Sequence, residues 1–82
     1  MKNSQRPCDR VSDKLVAILQ SELDAGTDPL EILCGVLLAY KSVELTMPRH
    51  AMPDTLQSLA DHSLIVLREL NAYLIQKRHV QN

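Results

Sequence analysis

Apolar residues recur along this chain at the three- and four-residue spacing of amphipathic helices, in three blocks separated by turn residues. The first block consists of Val11, Leu15, Ile18, Leu19 and Leu23. Gly26 follows it and suits the left-handed residue that often ends a helix. The pattern predicts a first helix over residues 9–25, with Asp9 or Ser12 as its N-cap. Residues 1–8 have no such periodicity, and we expect them to form a mobile tail.

The second block begins with a strong capping signal. Asp28 is a favoured N-cap residue, Pro29 is well tolerated at the first helical position, and Glu31 completes a capping-box pattern. We predict a helix over residues 29–45, and the short turn before it favours an antiparallel hairpin with the first helix. Its apolar residues are Leu30, Ile32, Leu33, Val36, Leu37, Leu38, Tyr40 and Val43. They cover most of the helix circumference, so we expect burial on more than one side.

The third block is the longest. Pro48 and Pro53 predict a loop, and Asp54 with Gln57 repeats the capping-box pattern at the start of a helix over residues 54–78. Its stripe, which is apolar except for Asn71, consists of Leu56, Leu59, Ala60, Leu64, Leu67, Leu70, Asn71 and Leu74, widened by Val66 and Tyr73. At 1.5 Å per residue neither of the other helices covers it from end to end. We therefore expect part of this stripe to face a second copy of the chain.

These elements predict an all-α fold. We expect a small three-helix bundle, made of an antiparallel helical hairpin and a longer C-terminal helix, in a single domain over residues 9–82. The chain has 82 residues, of which 45% are apolar and 23% are charged, as in an ordinary soluble globular domain. A domain of this size buries only roughly 60% of its unfolded surface, so we predict a homodimer.

Charge and cysteine content exclude several classes of protein. Nine basic and ten acidic residues give a net charge of −1, which disfavours nucleic acid as a partner. The apolar run at 32–40 is too short to cross a membrane, and no apolar signal peptide stands at the start. Cys8 and Cys34 do not form a disulfide framework or a CxxC metal motif. We expect free thiols in a cytoplasmic protein without membrane contact.

Catalytic motifs are also missing from the sequence. It contains no phosphate-binding glycine motif, and His50, His62 and His79 lack the spacing of metal ligands. Asp61, His62 and Ser63 are neighbours on one helix and point about 100° apart, so they cannot form a hydrolase triad. We interpret them as solvent-exposed residues of the outer helix face, and Cys34 as a small buried hydrophobic residue. The prediction is a protein that is not an enzyme and has no catalytic, cofactor-binding or metal-binding residues.

The predicted function is a non-catalytic protein–protein interaction module, acting as an adaptor, an inhibitor or anti-activator, or a chaperone-like regulator through an apolar helical surface. The candidate contact residues are Tyr40, Met47, Met52, Leu67, Leu70 and Tyr73. Leu67 and Leu70 would lie at the dimer contact. The alternative is a dimeric nucleic-acid-binding regulator that uses the basic residues near the chain ends. Those residues are Lys2, Arg6, Arg10, Lys77 and Arg78.

Overall fold

The computed structural model describes residues 5–81, and side chains as far as residue 79. It contains the helices α1 (Pro7–Asp24), α2 (Pro29–Glu44) and α3 (Asp54–Gln81), with one 3₁₀ turn at Arg49–Ala51. No strand occurs among the described residues, so the all-α class with three helices is confirmed. The chain divides after Ile32 into two compact units, which are described separately. The single domain, the antiparallel hairpin and the homodimer stay predictions.

Helix α1 begins earlier than the sequence pattern predicts. Residues 1–4 of the predicted tail lie outside the described residues, but Pro7 and Cys8 already belong to the helix. The N-cap is Arg6, which has extended backbone angles and makes no side-chain capping hydrogen bond. The prediction of Asp9 or Ser12 as the cap is therefore wrong. Proline explains the early start, because its fixed φ suits the first turn and its missing N–H is not needed there.

The end of α1 is a Schellman turn, as the position of Gly26 predicts. Gly26 has a φ of 89°, in the left-handed region where a side chain would be strained. Its N–H donates to the Leu23 carbonyl, and the Thr27 N–H donates to the Glu22 carbonyl, both at 3.0 Å. The Thr27 hydroxyl also donates to the Glu22 carboxylate at 2.7 Å. These bonds satisfy the last carbonyls of α1 before the chain enters α2.

Asp28 is the N-cap of α2, which confirms the sequence prediction. Its carboxylate accepts a hydrogen bond from the Leu30 N–H at 2.9 Å, and its carbonyl accepts the Ile32 N–H at 3.1 Å. Leu30 is the second residue of the helix, where a capping side chain is expected to bond.

Replacing the cap should destabilise the protein measurably. Asp28→Ala leaves the Leu30 N–H without its acceptor, and we expect the free energy of unfolding to fall by about 1 kcal/mol in urea denaturation. Lys14→Ala is the control, because Lys14 is exposed within α1 and its change should stay within about 0.5 kcal/mol. Equal midpoints for the Asp28 variant and the wild type would contradict a capping role.

Within the second unit, α2 and α3 pack against each other in antiparallel directions. Lys41 of α2 bonds to Ala60 of α3, whereas the earlier Cys34 shares a cavity with the later Asn71. The positions that face the partner follow a four-three spacing typical of paired helices. We call them the seam: Cys34, Leu37, Lys41 and Glu44 on α2, and Leu56, Ala60, Ser63, Leu67 and Leu70 on α3. All of them are buried or half-buried.

The seam corrects two sequence predictions. Helix α2 is less buried than its all-round apolar pattern predicts, because Cys34 is its one fully buried residue and much of its apolar surface is exposed. Ser63 does not lie on the outer face of α3 but is buried in the seam, where its hydroxyl donates to the Ala60 carbonyl at 3.0 Å. A serine can occupy such a position because its own helix supplies the acceptor. The buried environment predicted for Cys34 is confirmed.

The segment between α2 and α3 ends near Met52, whose side chain is buried. The Gln57 side-chain amide donates to the Met52 carbonyl at 3.0 Å, and the Gln57 N–H donates to the Pro53 carbonyl. Asp54 is therefore the first helical residue and not the N-cap that the capping-box pattern predicts. The preceding Pro53 supplies the first carbonyl instead, and Gln57 reaches back to a carbonyl rather than to an N–H.

Candidate functional site

The charged and apolar residues of α2 are placed the opposite way round from an ordinary surface helix. From Leu33 onward its only charged residues are Lys41 and Glu44, and both lie in the seam. The Lys41 ammonium donates to the Glu44 carboxylate at 2.8 Å and to the Ala60 carbonyl at 3.0 Å. The two side chains are only 16% and 11% exposed. The side of α2 that faces away from α3 is left without a charged residue from Leu33 onward, and most of its residues are apolar.

Exposed apolar residues of both helices form one surface, which we call the apolar face. Its members are Leu33, Val36, Tyr40 and Val43 of α2, and Leu59, Val66 and Tyr73 of α3. Tyr40 is half-buried, and the exposed fractions of the other six range from 36% at Val36 to 67% at Val43. None of the seven carries a charge.

Helical geometry places these residues on the same side of the α2–α3 pair. Leu33 and Tyr40 of α2 directly precede the seam residues Cys34 and Lys41. On α3, Leu59 and Val66 directly precede the seam residues Ala60 and Leu67, and Tyr73 directly precedes Leu74, which is buried one heptad after Leu67. In two antiparallel helices, residues that precede the seam positions flank the seam on one common side. Val36 and Val43 lie one step further round α2 on that side. The face therefore runs along the whole paired length.

One end of the apolar face opens into a cavity of about 160 Å³. It is lined by Tyr40, Val43, Glu44, Met47, Met52 and Leu56. The structure thus brings together three of the six predicted contact residues, two of which are flexible methionines that adapt to varied shapes. The Tyr40 hydroxyl is buried and has no hydrogen-bond partner among the described residues. An unpaired buried hydroxyl is uncommon in folded proteins, and it lowers the stability of the fold at this end of the face.

The other three predicted contact residues are not at this cavity. Leu67 lines a second cavity of about 220 Å³ on the other side of the seam, with Cys34, Leu38, Arg68 and Asn71. Leu70 is half-buried at a seam position. Tyr73 is 55% exposed and belongs to the apolar face.

Sequence reasoning did not select most of the apolar face. Val36, Val43, Leu59 and Val66 are aliphatic, so they read equally well as core residues. A signal for two of them was present, because Leu59 and Val66 precede Tyr73 at intervals of seven residues, the repeat of paired helices. The repeat identifies a common stripe, but exposure of that stripe became visible only from the packing.

An exposed ion pair fastens the 3₁₀ turn to α3. The Arg49 guanidinium donates two hydrogen bonds to the Asp61 carboxylate, at 3.0 and 2.9 Å. These hydrogen bonds are the main reason that the pKa of Asp61 lies below its ordinary value, and the positive charges of Arg49 and Lys41 add to the effect. The folded-state pKa is lower than the unfolded one. The pair therefore stabilises the fold fully above the unfolded pKa, and this contribution is lost as the pH falls through the folded pKa.

Removing the guanidinium should raise the pKa of Asp61. We expect Arg49→Gln to move the carboxylate titration toward its ordinary value, as followed by carbon NMR of the side-chain carboxyl between pH 2 and 6. Arg49→Lys, which keeps the charge but loses the paired geometry, should give an intermediate pKa. An unchanged titration in Arg49→Gln would show that the ion pair does not persist in solution.

The described part of the chain offers little for other chemistry. Among its side chains, no group of three His, Cys, Asp or Glu residues is placed to hold a metal ion. His50, His62 and His79 are exposed, as expected from the sequence. Of the basic residues in the nucleic-acid alternative, Arg10 lies in α1 whereas Lys77 and Arg78 lie in α3, and that alternative stays a prediction. No helix in the described residues combines the length and apolarity needed to cross a membrane.

Comparison with known proteins adds no further assignment. Protein-family models, curated protein sequences and solved structures all give no match to this chain. The geometry of the seam and of the apolar face is therefore the basis for assigning a function.

Proposed function

We propose that the protein is a small, non-catalytic interaction module whose apolar face binds protein, and that it acts as an adaptor, an inhibitor or anti-activator, or a chaperone-like regulator. The observation that carries the proposal is the reversed polarity of α2. Lys41 and Glu44 occupy the seam, and the outward side from Leu33 to Val43 is uncharged and mostly apolar. The largest contiguous apolar patch on a soluble monomer usually covers about 300–600 Å² and often has a function, such as binding another protein.

The energetics of the apolar face support binding. Fully burying an aliphatic side chain contributes about 1.5–3 kcal/mol, so covering one that is half exposed contributes about 1 kcal/mol. Six members of the face are 36% to 67% exposed, and Tyr73 is an amphipathic residue of the kind enriched in interfaces. A partner that covers the face would therefore gain several kcal/mol before the cost of association is counted.

The proposal includes a cytoplasmic location and a non-catalytic role. Both cysteines are free thiols, which persist in a reducing compartment. The sequence offers no constellation of nucleophile, base and orienting group, so binding is the activity that its surface supports.

Site-specific photocrosslinking in living cells tests the proposal. A photoreactive amino acid replaces Val66 on the apolar face, and in a matched strain it replaces Ile65, which is exposed on α3 but points away from the seam. We expect protein adducts from position 66 and few from position 65. A second substitution on the face, Val43→Glu, should suppress the adducts at position 66. Equal adduct formation at both positions, or none at position 66, would contradict the proposed function.

A further inference from the structure

We propose that the occupant of the apolar face is a second copy of this chain, so that two α2–α3 pairs meet about a two-fold axis as a four-helix arrangement. The inference rests on the proposed function and specifies its first partner. Small helical proteins commonly complete their cores by two-fold pairing, and four-helix packing buries one side of each helix pair.

The uncovered area matches what a stable dimer needs. Transfer free energies correspond to about 60–120 Å² of apolar surface for an aliphatic side chain, and a tyrosine buries about 200 Å². With the exposures of its seven residues, the apolar face leaves roughly 300–450 Å² uncovered on each copy. A standard interface buries about 800 Å² per partner, of which slightly more than half, about 450 Å², is apolar. The face supplies most of that apolar area.

The chemistry of the face favours self-pairing over a charged partner. A two-fold axis brings the same patch of both copies together, so any charged residue near the axis would meet a like charge. None of the seven members of the apolar face is charged, and the charges of α2 are paired with each other in the seam, while His62 and Glu69, one helical turn after Leu59 and Val66, border the face along α3.

The register of the helices gives the face a large residue at each level. The bond of Lys41 to Ala60 and the cavity shared by Cys34 and Asn71 set which positions lie side by side. Leu33 is then level with Tyr73, and Val43 is level with Leu59. Tyr40 and Val66 lie between these two levels. Val66, in the middle of the α3 stripe, is the position that a two-fold axis would bring closest to its own copy.

A pair of charge substitutions on adjacent residues tests this inference. We expect the 82-residue wild type to have about twice the monomer mass of 9.2 kDa in light scattering at tens of micromolar protein. Val66→Glu should raise the dimer dissociation constant about 100-fold or more, because like charges would be buried together. Ile65→Glu should leave the dimer intact, since Ile65 is 52% exposed and faces away from the seam. Both variants should keep the wild-type helical circular dichroism.

Mixing oppositely charged variants tests whether the dimer can be restored. An equimolar mixture of Val66→Glu and Val66→Lys chains should recover the dimer mass, since opposite charges then meet. If Val66→Glu fails to fold, Val43→Glu on the face and Leu45→Glu, which is 79% exposed on the other side, provide the same comparison. A monomeric wild type up to hundreds of micromolar, or equal masses for face and control variants, would overturn the second copy as occupant. Position-66 adducts to a different protein would then still support the proposed function.

Discussion

Leu74→Ala is expected to lower the free energy of unfolding by about 3 kcal/mol, or roughly 10–20 °C in melting temperature. Leu74 is the most deeply buried large side chain among the described residues, with 2% of its surface exposed. Removing it loses the transfer free energy of the side chain and leaves a cavity that the helices fill only partly. Urea denaturation at one fixed protein concentration measures the loss, since stability depends on concentration if the protein dimerises.

The adjacent residue provides the control for this substitution. Ile75 is also a large aliphatic residue of α3, but it is 56% exposed, so Ile75→Ala should change the stability by about 0.5 kcal/mol or less. A small effect of Leu74→Ala, or equal losses for the two variants, would show that α3 is rotated from the orientation described.

The second large effect concerns the ion pair in the seam. Lys41→Met leaves the Glu44 carboxylate, which is only 11% exposed, without its ammonium partner, and the Ala60 carbonyl without its Lys41 donor. We expect a loss of about 2–3 kcal/mol, because a nearly buried charge would remain uncompensated. Combining Lys41→Met with Glu44→Leu should recover most of that loss, since an apolar pair can replace a buried ion pair.

A double-mutant cycle on these two residues isolates their coupling. Urea denaturation of the wild type, both single variants and the double variant should give an interaction free energy of about 1–3 kcal/mol. Ser63→Ala is the control for the shared acceptor, because Ser63 also donates to the Ala60 carbonyl, yet its loss should cost about 1 kcal/mol or less. Additive effects of the two single variants would mean that Lys41 and Glu44 do not interact in solution.

Capping chemistry made the helix count and most boundaries predictable from the sequence. Asp28, Pro29 and Gly26 act locally, so their roles follow from the residues themselves. The predicted start of α1 is wrong because Asp9 and Ser12 are both favourable N-cap residue types, whereas Pro7 determines where the helix begins. The same rule that was applied to Pro29 would have placed it correctly.

The candidate site was harder to predict, because residue type alone does not say which side of a helix is covered. The all-round apolar pattern of α2 predicts burial on several sides, and a lysine such as Lys41 in its last turn is a residue type that is mostly solvent-exposed. The structure places Lys41 inside and Val43 outside, since the ammonium finds both a carboxylate and a carbonyl within reach. The buried position of Lys41 depends on partners 3 and 19 positions away along the chain. The spacing of apolar residues gives no information about such partners.

The two cysteines differ in exposure, so thiol labelling can detect opening of the seam. Cys8 is exposed on α1, whereas Cys34 is 6% exposed in the seam between α2 and α3. A bulky thiol reagent can reach Cys8 at once, but it can reach Cys34 only in molecules whose helices have briefly separated. When the closing step is faster than the chemical step, the labelling rate of Cys34 is proportional to the population of opened molecules. The labelling rate of Cys34, compared with that of the exposed Cys8, therefore gives the free energy of opening of the helix pair.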